Sequence, residues 1–126
     1  MNFNDFFCHD AIIKSIIIDR NSPGINDNIS FSLELPEEER INFTFEDVYW
    51  SVMELNFGIF ADETVLSAFC SADNDDLTKF YSKWNGLMND IKLCFYEINL
   101  NSSGGKIKII AKSFIVKPNN SDVECL

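Results

Sequence analysis

The only histidine of the chain lies between a thiol and a carboxylate, in the stretch Cys8-His9-Asp10. A nucleophilic cysteine needs an imidazole that faces it, yet neighbours on an extended chain point to opposite sides. Cys8 and His9 are therefore poorly placed to act together, and the sequence contains no G-x-S-x-G motif for a serine nucleophile. We predict that His9 and Asp10 form a local polar site that fixes the entry to a strand, and we assign no catalytic residue. The alternative is a small enzyme or ligand-binding protein that uses His9 and Asp10.

The spacing of cysteines and carboxylates argues against a metal site. The cysteines are Cys8, Cys70, Cys94 and Cys125, which are scattered and form no C-x-x-C pair. The acidic segment 72–76 lacks the glycine and the glutamate that a calcium loop requires. We predict no metal and no cofactor, and we interpret this segment as a solvated linker in which Asp75 or Asp76 caps a helix. A patch for a basic partner is the alternative.

Charge is the one unusual bulk property. Ten Lys and Arg residues against twenty Asp and Glu residues leave a net charge of −10. Such a surface repels nucleic-acid phosphates and anionic lipids, so we expect neither nucleic acid nor a membrane as a partner. It would attract a protein with a basic surface, although solubility alone is an alternative explanation.

The sequence pattern of the N-terminal half predicts β-strands. The run Ala11–Asp19 is largely apolar on both faces, which predicts a strand covered on both sides for much of its length. Ile29–Leu35 and Ile41–Phe45 alternate apolar with polar residues, which predicts two antiparallel strands joined by a hairpin loop. Val48–Phe60 fits both a strand and a helix, and its aromatic content favours a strand that bends at Gly58.

Two helices and two strands are expected in the remainder. Asp62 and the apolar residues after it predict a first helix, and a second begins at Asp76 and stops at Asn85-Gly86. Ile91–Leu100 is the next predicted strand, with a bulge near Tyr96 because its alternation slips there. Lys106–Val116 is the last.

These elements predict an α+β fold in one domain, residues 1–117, followed by a polar tail at 118–126. We expect an antiparallel sheet of five to six strands, with two helices inserted before the last two strands and packed on one face. No apolar run is long enough to span a bilayer and no secretory signal is present, so a cytoplasmic protein is expected.

Three segments resemble small bacterial immunity proteins, which are encoded beside polymorphic or contact-dependent toxins. They are H-D-A-x-x-x-x-I-x-I-D at 9–19, FTFEDV at 43–48 and FYEINLNSSGGKIKIIAKSF at 95–114. The resemblance implies a non-enzymatic protein that binds and blocks a cognate toxin in the cytoplasm. It implies no particular contact residues and no oligomeric state.

Charge and expected exposure supply the contact residues instead. The predicted set consists of the acidic residues of two loops and one aromatic anchor: Glu37, Glu38, Glu39, Trp50, Asp73, Asp75 and Asp76. We expect Trp50 to be exposed, and Trp84 to lie in the core because it shares a helical face with Leu77 and Tyr81. A further alternative is an assembly subunit that pairs through an open edge strand, with Lys106–Val116 as the candidate.

Overall fold

The computed structural model describes residues 3–37, 39–87 and 90–118. Its elements are a 3-10 helix (Phe3–Asp5), β1 (Ile12–Asp19), β2 (Asn28–Glu34), β3 (Arg40–Glu54), β4 (Val65–Ser71), α1 (Asp75–Lys83), β5 (Cys94–Leu100) and β6 (Lys106–Pro118). The strands form one six-stranded sheet in the order β1-β2-β3-β6-β5-β4, and all neighbours are antiparallel. The expected α+β fold with an antiparallel sheet is confirmed.

The sheet curls so that its two edge strands meet at one end. Ile12 forms an antiparallel bridge with Thr64. On either side of the bridge, the Ile13 N–H donates to the Glu63 carbonyl at 2.9 Å and the Val65 N–H donates to the Ala11 carbonyl at 2.8 Å. The start of β1 is therefore paired on both sides.

An aromatic core fills the concave face of this sheet. Phe31, Phe43 and Phe45 are fully buried and come from the alternating strands β2 and β3. The N-terminal segment closes the core, since Phe3 and Phe7 stack with ring centroids 5.0 Å apart and Phe7 meets Phe43 edge-on at 4.7 Å. Residues 3–7 thus belong to the core although they form no strand.

Helix α1 covers part of the opposite face. Leu77 and Phe80 pack with Leu93, Phe95 and Ile110 in a second, smaller cluster. The Tyr81 hydroxyl donates to the Ile91 carbonyl at 2.7 Å and accepts from the Leu93 N–H at 3.1 Å. These bonds attach the segment before β5 to the helix.

The helix predicted from Asp62 is wrong, because residues 65–71 form β4. The β4–β5 register shifts between Val65 and Ser67, which breaks the two-residue alternation of the strand. Apolar residues at 65, 66 and 69 then imitate helical spacing. The second predicted helix is confirmed as α1, and Asn85 and Gly86 after it have the positive φ values of 49° and 85° that suit its end.

The bulge predicted in β5 is also wrong, because its pairing with β6 runs without a shift from Cys94 to Asn99. The alternation slips for another reason. Phe95 faces α1, while Tyr96 and Ile98 face the aromatic core, so both faces of β5 are covered. The change in the alternation of apolar residues along β5 therefore indicates a strand with apolar layers on both faces.

The observed bounds of β3 and β6 differ from the predicted ones. β3 continues to Glu54, so the ambiguous segment is a strand over its first half, with Gly58 at φ 91° beyond it. β6 extends to Pro118, and the rest of the predicted tail lies outside the described residues. β6 is also a central strand between β3 and β5, which rules out Lys106–Val116 as an open edge.

A pair of phenylalanine substitutions tests this assignment of the core. We expect Phe7→Ala to lower the free energy of unfolding by about 3–5 kcal/mol, because it empties a fully buried ring site. Phe57→Ala, at a ring that is 87% exposed, should change it by less than about 0.5 kcal/mol. Urea denaturation measures both, and equal losses would contradict the assignment.

Candidate functional site

The His9–Asp10 pair lies on the surface at the entry to β1. Their side chains are 65% and 62% exposed, and His9 Nδ1 lies 3.2 Å from Asp10 Oδ2. Asp10 has a φ of 72°, and its N–H donates to the Val65 carbonyl at 3.0 Å. The pair marks a tight turn that leads the chain into its pairing with β4.

The other reactive side chains include two groups with shifted pKa values and, among the described residues, no cluster of metal ligands. Within residues 3–37, 39–87 and 90–118, no group of three His, Cys, Asp or Glu side chains could hold a metal ion. Burial raises the pKa of the Cys70 thiol, and the adjacent Cys94 raises it further. Burial likewise raises the pKa of Tyr96. Cys70 and Tyr96 therefore keep their protons at neutral pH, and neither is an activated nucleophile.

The acidic loop between β2 and β3 is open to solvent. Glu37 and Glu39 are exposed, and neither takes part in an ion pair among the described residues. The Glu39 carbonyl accepts the Leu35 N–H at 2.8 Å, which holds the hairpin while its side chain stays in water. Glu38 lies outside the described residues.

The second acidic segment, 73–76, is partly committed to structure. Asn74, and neither aspartate, caps α1, since its side chain accepts the Leu77 N–H at 2.9 Å. This corrects the expected cap. Asp76 is half-buried and pairs with Lys108 Nζ at 3.4 Å, whereas Asp75 is exposed.

The two acidic segments lie near opposite ends of β3. Asp76 pairs with Lys108, which lies opposite Val52 on β3, whereas the other acidic loop ends at Arg40 at the start of the same strand. The twelve steps along the strand from residue 40 to residue 52 correspond to a contour length of about 35–40 Å.

Neither tryptophan has the exposure that the sequence predicts. Trp50 is half-buried and packs with Tyr49 against the cluster beneath α1, because a register shift between Val48 and Trp50 turns it toward the helix. Trp84, at the end of α1, is 41% exposed. The prediction that Trp50 is an exposed anchor is therefore wrong, because its side chain is half-buried. The prediction that Trp84 lies in the core is also wrong.

An exposed apolar loop was missed by sequence reasoning. We call residues 55–60, between the end of β3 and the bridge to β1, the apolar loop. Phe57 is 87% exposed, Ile59 is 50% exposed and Phe60 is fully exposed. The signal was present in the sequence LNFGIF, which is apolar without strand alternation and contains a glycine.

A groove of about 440 Å³ separates the apolar loop from β1. One wall consists of Ile13, Lys14, Ser15 and Ile16, and the other of residues 55–59. Its end is fixed by Glu63, whose carboxylate accepts from the Ser103 hydroxyl at 2.6 Å and from the Ser103 N–H at 3.2 Å. This groove and the apolar loop form the candidate site.

Substitutions at the surface pair separate a structural role from a chemical one. We expect His9→Ala to change the free energy of unfolding by less than about 0.5 kcal/mol, because the ring is mostly in water. Asp10→Ala should lower it by about 1–2 kcal/mol because alanine resists a left-handed conformation, while Asp10→Gly should not lower it. Chemical denaturation of the three variants measures this. A large loss in His9→Ala would contradict a purely local role.

No protein-family model matches the sequence, and no curated protein matches it. No helix of the described residues is both long and apolar enough to cross a membrane. The candidate site therefore rests on exposure, charge and geometry alone.

Proposed function

We propose that this chain is a non-enzymatic binding protein of the bacterial cytoplasm, an immunity protein that binds and neutralises a cognate toxin. The observation that carries the proposal is the apolar loop, where two phenylalanine side chains are 87% and fully exposed. Exposed apolar side chains that lie together mark protein-interaction surfaces, and aromatic residues contribute most of the energy of such contacts.

Charge around the apolar loop supports a basic partner. Glu54 precedes the loop, and Asp62 and Glu63 follow it. Glu54 and Asp62 are exposed and take part in no ion pair among the described residues. An apolar patch with an acidic rim fits a cleft that is apolar inside and bordered by Lys or Arg, as in a protein that acts on phosphate-bearing substrates.

The net charge of −10 adds a long-range attraction for the same class of partner. The exposed carboxylates Glu37, Glu39, Asp73 and Asp75 contribute to that field without belonging to the apolar patch. They would accelerate encounter with a basic toxin more than they would hold the complex together. The two predicted acidic loops thus act in steering, and the apolar loop acts in the contact.

Assembly with other copies is a second candidate, favoured by the same exposed aromatic rings. It predicts a concentration-dependent oligomer in the absence of any partner, which sedimentation measures. Self-repulsion between copies that each carry −10 opposes it.

Co-expression with the product of the adjacent gene tests the proposal. We expect the two proteins to purify together and this chain to prevent growth inhibition by the other. Phe57→Ser with Phe60→Ser should weaken binding by about 30-fold, the size of a 2 kcal/mol contact. The matched control is Leu87→Ser, at an apolar side chain that is 78% exposed elsewhere, and it should leave binding unchanged. Absence of a complex and of protection would refute the proposal.

Charge reversal tests the steering role separately. We expect Glu37→Lys with Glu39→Lys, and in another variant Asp73→Lys with Asp75→Lys, to slow association at low salt and to lose most of that effect at high salt. Stopped-flow association rates at two ionic strengths measure this. If neither pair of reversals changes the rate, these acidic loops have no part in binding.

A further inference from the structure

Half of β1 presents an unpaired backbone edge. On one side β1 pairs with β2 from Ile12 to Asp19. On the other side its pairing with residues 63–65 ends at Ile13, and no described residue pairs with the edge from Ser15 to Asp19. Backbone N–H and carbonyl groups on that edge are free to continue a ladder that has already begun.

The isoleucines of this half-strand point to both faces, and those near its end are not covered. Ile16 is half-buried and packs against the aromatic core, whereas Ile17 is 60% exposed and Ile18 is 51% exposed, so the expected cover on both sides is missing from the end of β1. Folded proteins usually protect edge strands with charges, proline or a bulge within the exposed stretch. Here the charges Lys14 and Asp19 and the register shift between Ile13 and Ser15 lie at the ends of the stretch, and Ile16, Ile17 and Ile18 lie between them.

We propose that this edge, residues 15–19, binds an extended segment of a basic partner protein, which adds a seventh strand beside β1. The groove beside residues 13–16 would receive the side chains of the added strand that point to the apolar loop. Backbone bonds would supply affinity and the groove would supply selectivity. The inference deepens the proposed function and rests on it for the identity of the partner.

Charge complementarity selects the occupant. Among the described residues that line the groove, Lys14 and Glu63 are the charged ones, and Ser103 hydrogen-bonds to Glu63. Beyond the groove, Asp19, Glu54 and Asp62 are exposed carboxylates without an ion pair among the described residues. The fitting segment therefore alternates β-branched residues with Lys or Arg.

The same charges disfavour two other occupants. A second copy of the chain brings another −10 to the contact. The C-terminal residues 119–126 carry Asp122 and Glu124 and no Lys or Arg. Both would place negative charge against a surface that already has an excess of it.

Hydrogen exchange with a defined probe tests the proposal. The probe is a nine-residue synthetic peptide that alternates valine with lysine, and its controls replace every lysine by glutamate or the central valine by proline. We expect the lysine peptide to slow exchange of the amides in residues 15–19 that point away from β2, and both controls to bind at least about tenfold more weakly. Ile17→Lys should weaken binding by a similar factor, while Leu87→Lys, the same charge change at a distant exposed site, should not.

The contrary results separate the alternatives. Binding without slower exchange at residues 15–19, or equal binding of the proline peptide, would overturn strand addition. If the amides of residues 15–19 that point away from β2 are already protected in the free monomer, the chain itself covers the edge, and protection of those amides that grows with protein concentration would show a second copy there. Either would overturn the proposal. A toxin complex that forms while the lysine peptide fails would leave the proposed function standing and refute this inference alone.

Discussion

The pairing between residues 10–13 and 63–65 is the constraint on which the surface of this protein depends. It joins the two edge strands of a curled sheet at one end only. The first half of β1 is thereby paired on both sides, and the second half is left with one free edge. The chain between β3 and residue 63 forms the apolar loop, whose side chains are exposed to solvent.

Packing explains why the molecule tolerates such a surface. The aromatic core closes on the concave face through Phe3 and Phe7, and α1 covers a separate cluster on the other face. Neither cluster needs the apolar loop or the end of β1 for its burial. Exposed apolar side chains at those places bury little surface on folding and carry a risk of aggregation. The proposed binding role would account for them, and the negative net charge opposes association between copies.

Sequence reasoning found the elements whose pattern is simple. β2 and β3 alternate strictly because one face meets the aromatic core, and α1 has its apolar residues at helical spacing. It failed where two signals conflict. β4 contains a register shift that imitates a helix, and β5 changes parity because it lies between two apolar layers.

The candidate site was only partly predictable for a physical reason. The exposure of acidic residues in polar loops can be predicted from the sequence, and Glu37, Glu39 and Asp75 are exposed as expected. Whether an apolar strand is covered by other elements depends on the order of the strands in the sheet. The local sequence pattern does not contain that order. The sequence therefore predicts β1 as a covered strand and Trp50 as exposed. In the structure, a register shift in β3 turns Trp50 toward α1.

We propose that this protein acts through the apolar loop and the free edge of β1, without a reactive group of its own. A crystal structure of the complex with the product of the adjacent gene would show which surface the partner covers. We expect Phe57, Phe60 and the backbone of residues 15–19 to be buried against the partner. A complex in which all of them remain in solvent, with the contact formed around His9, would contradict it.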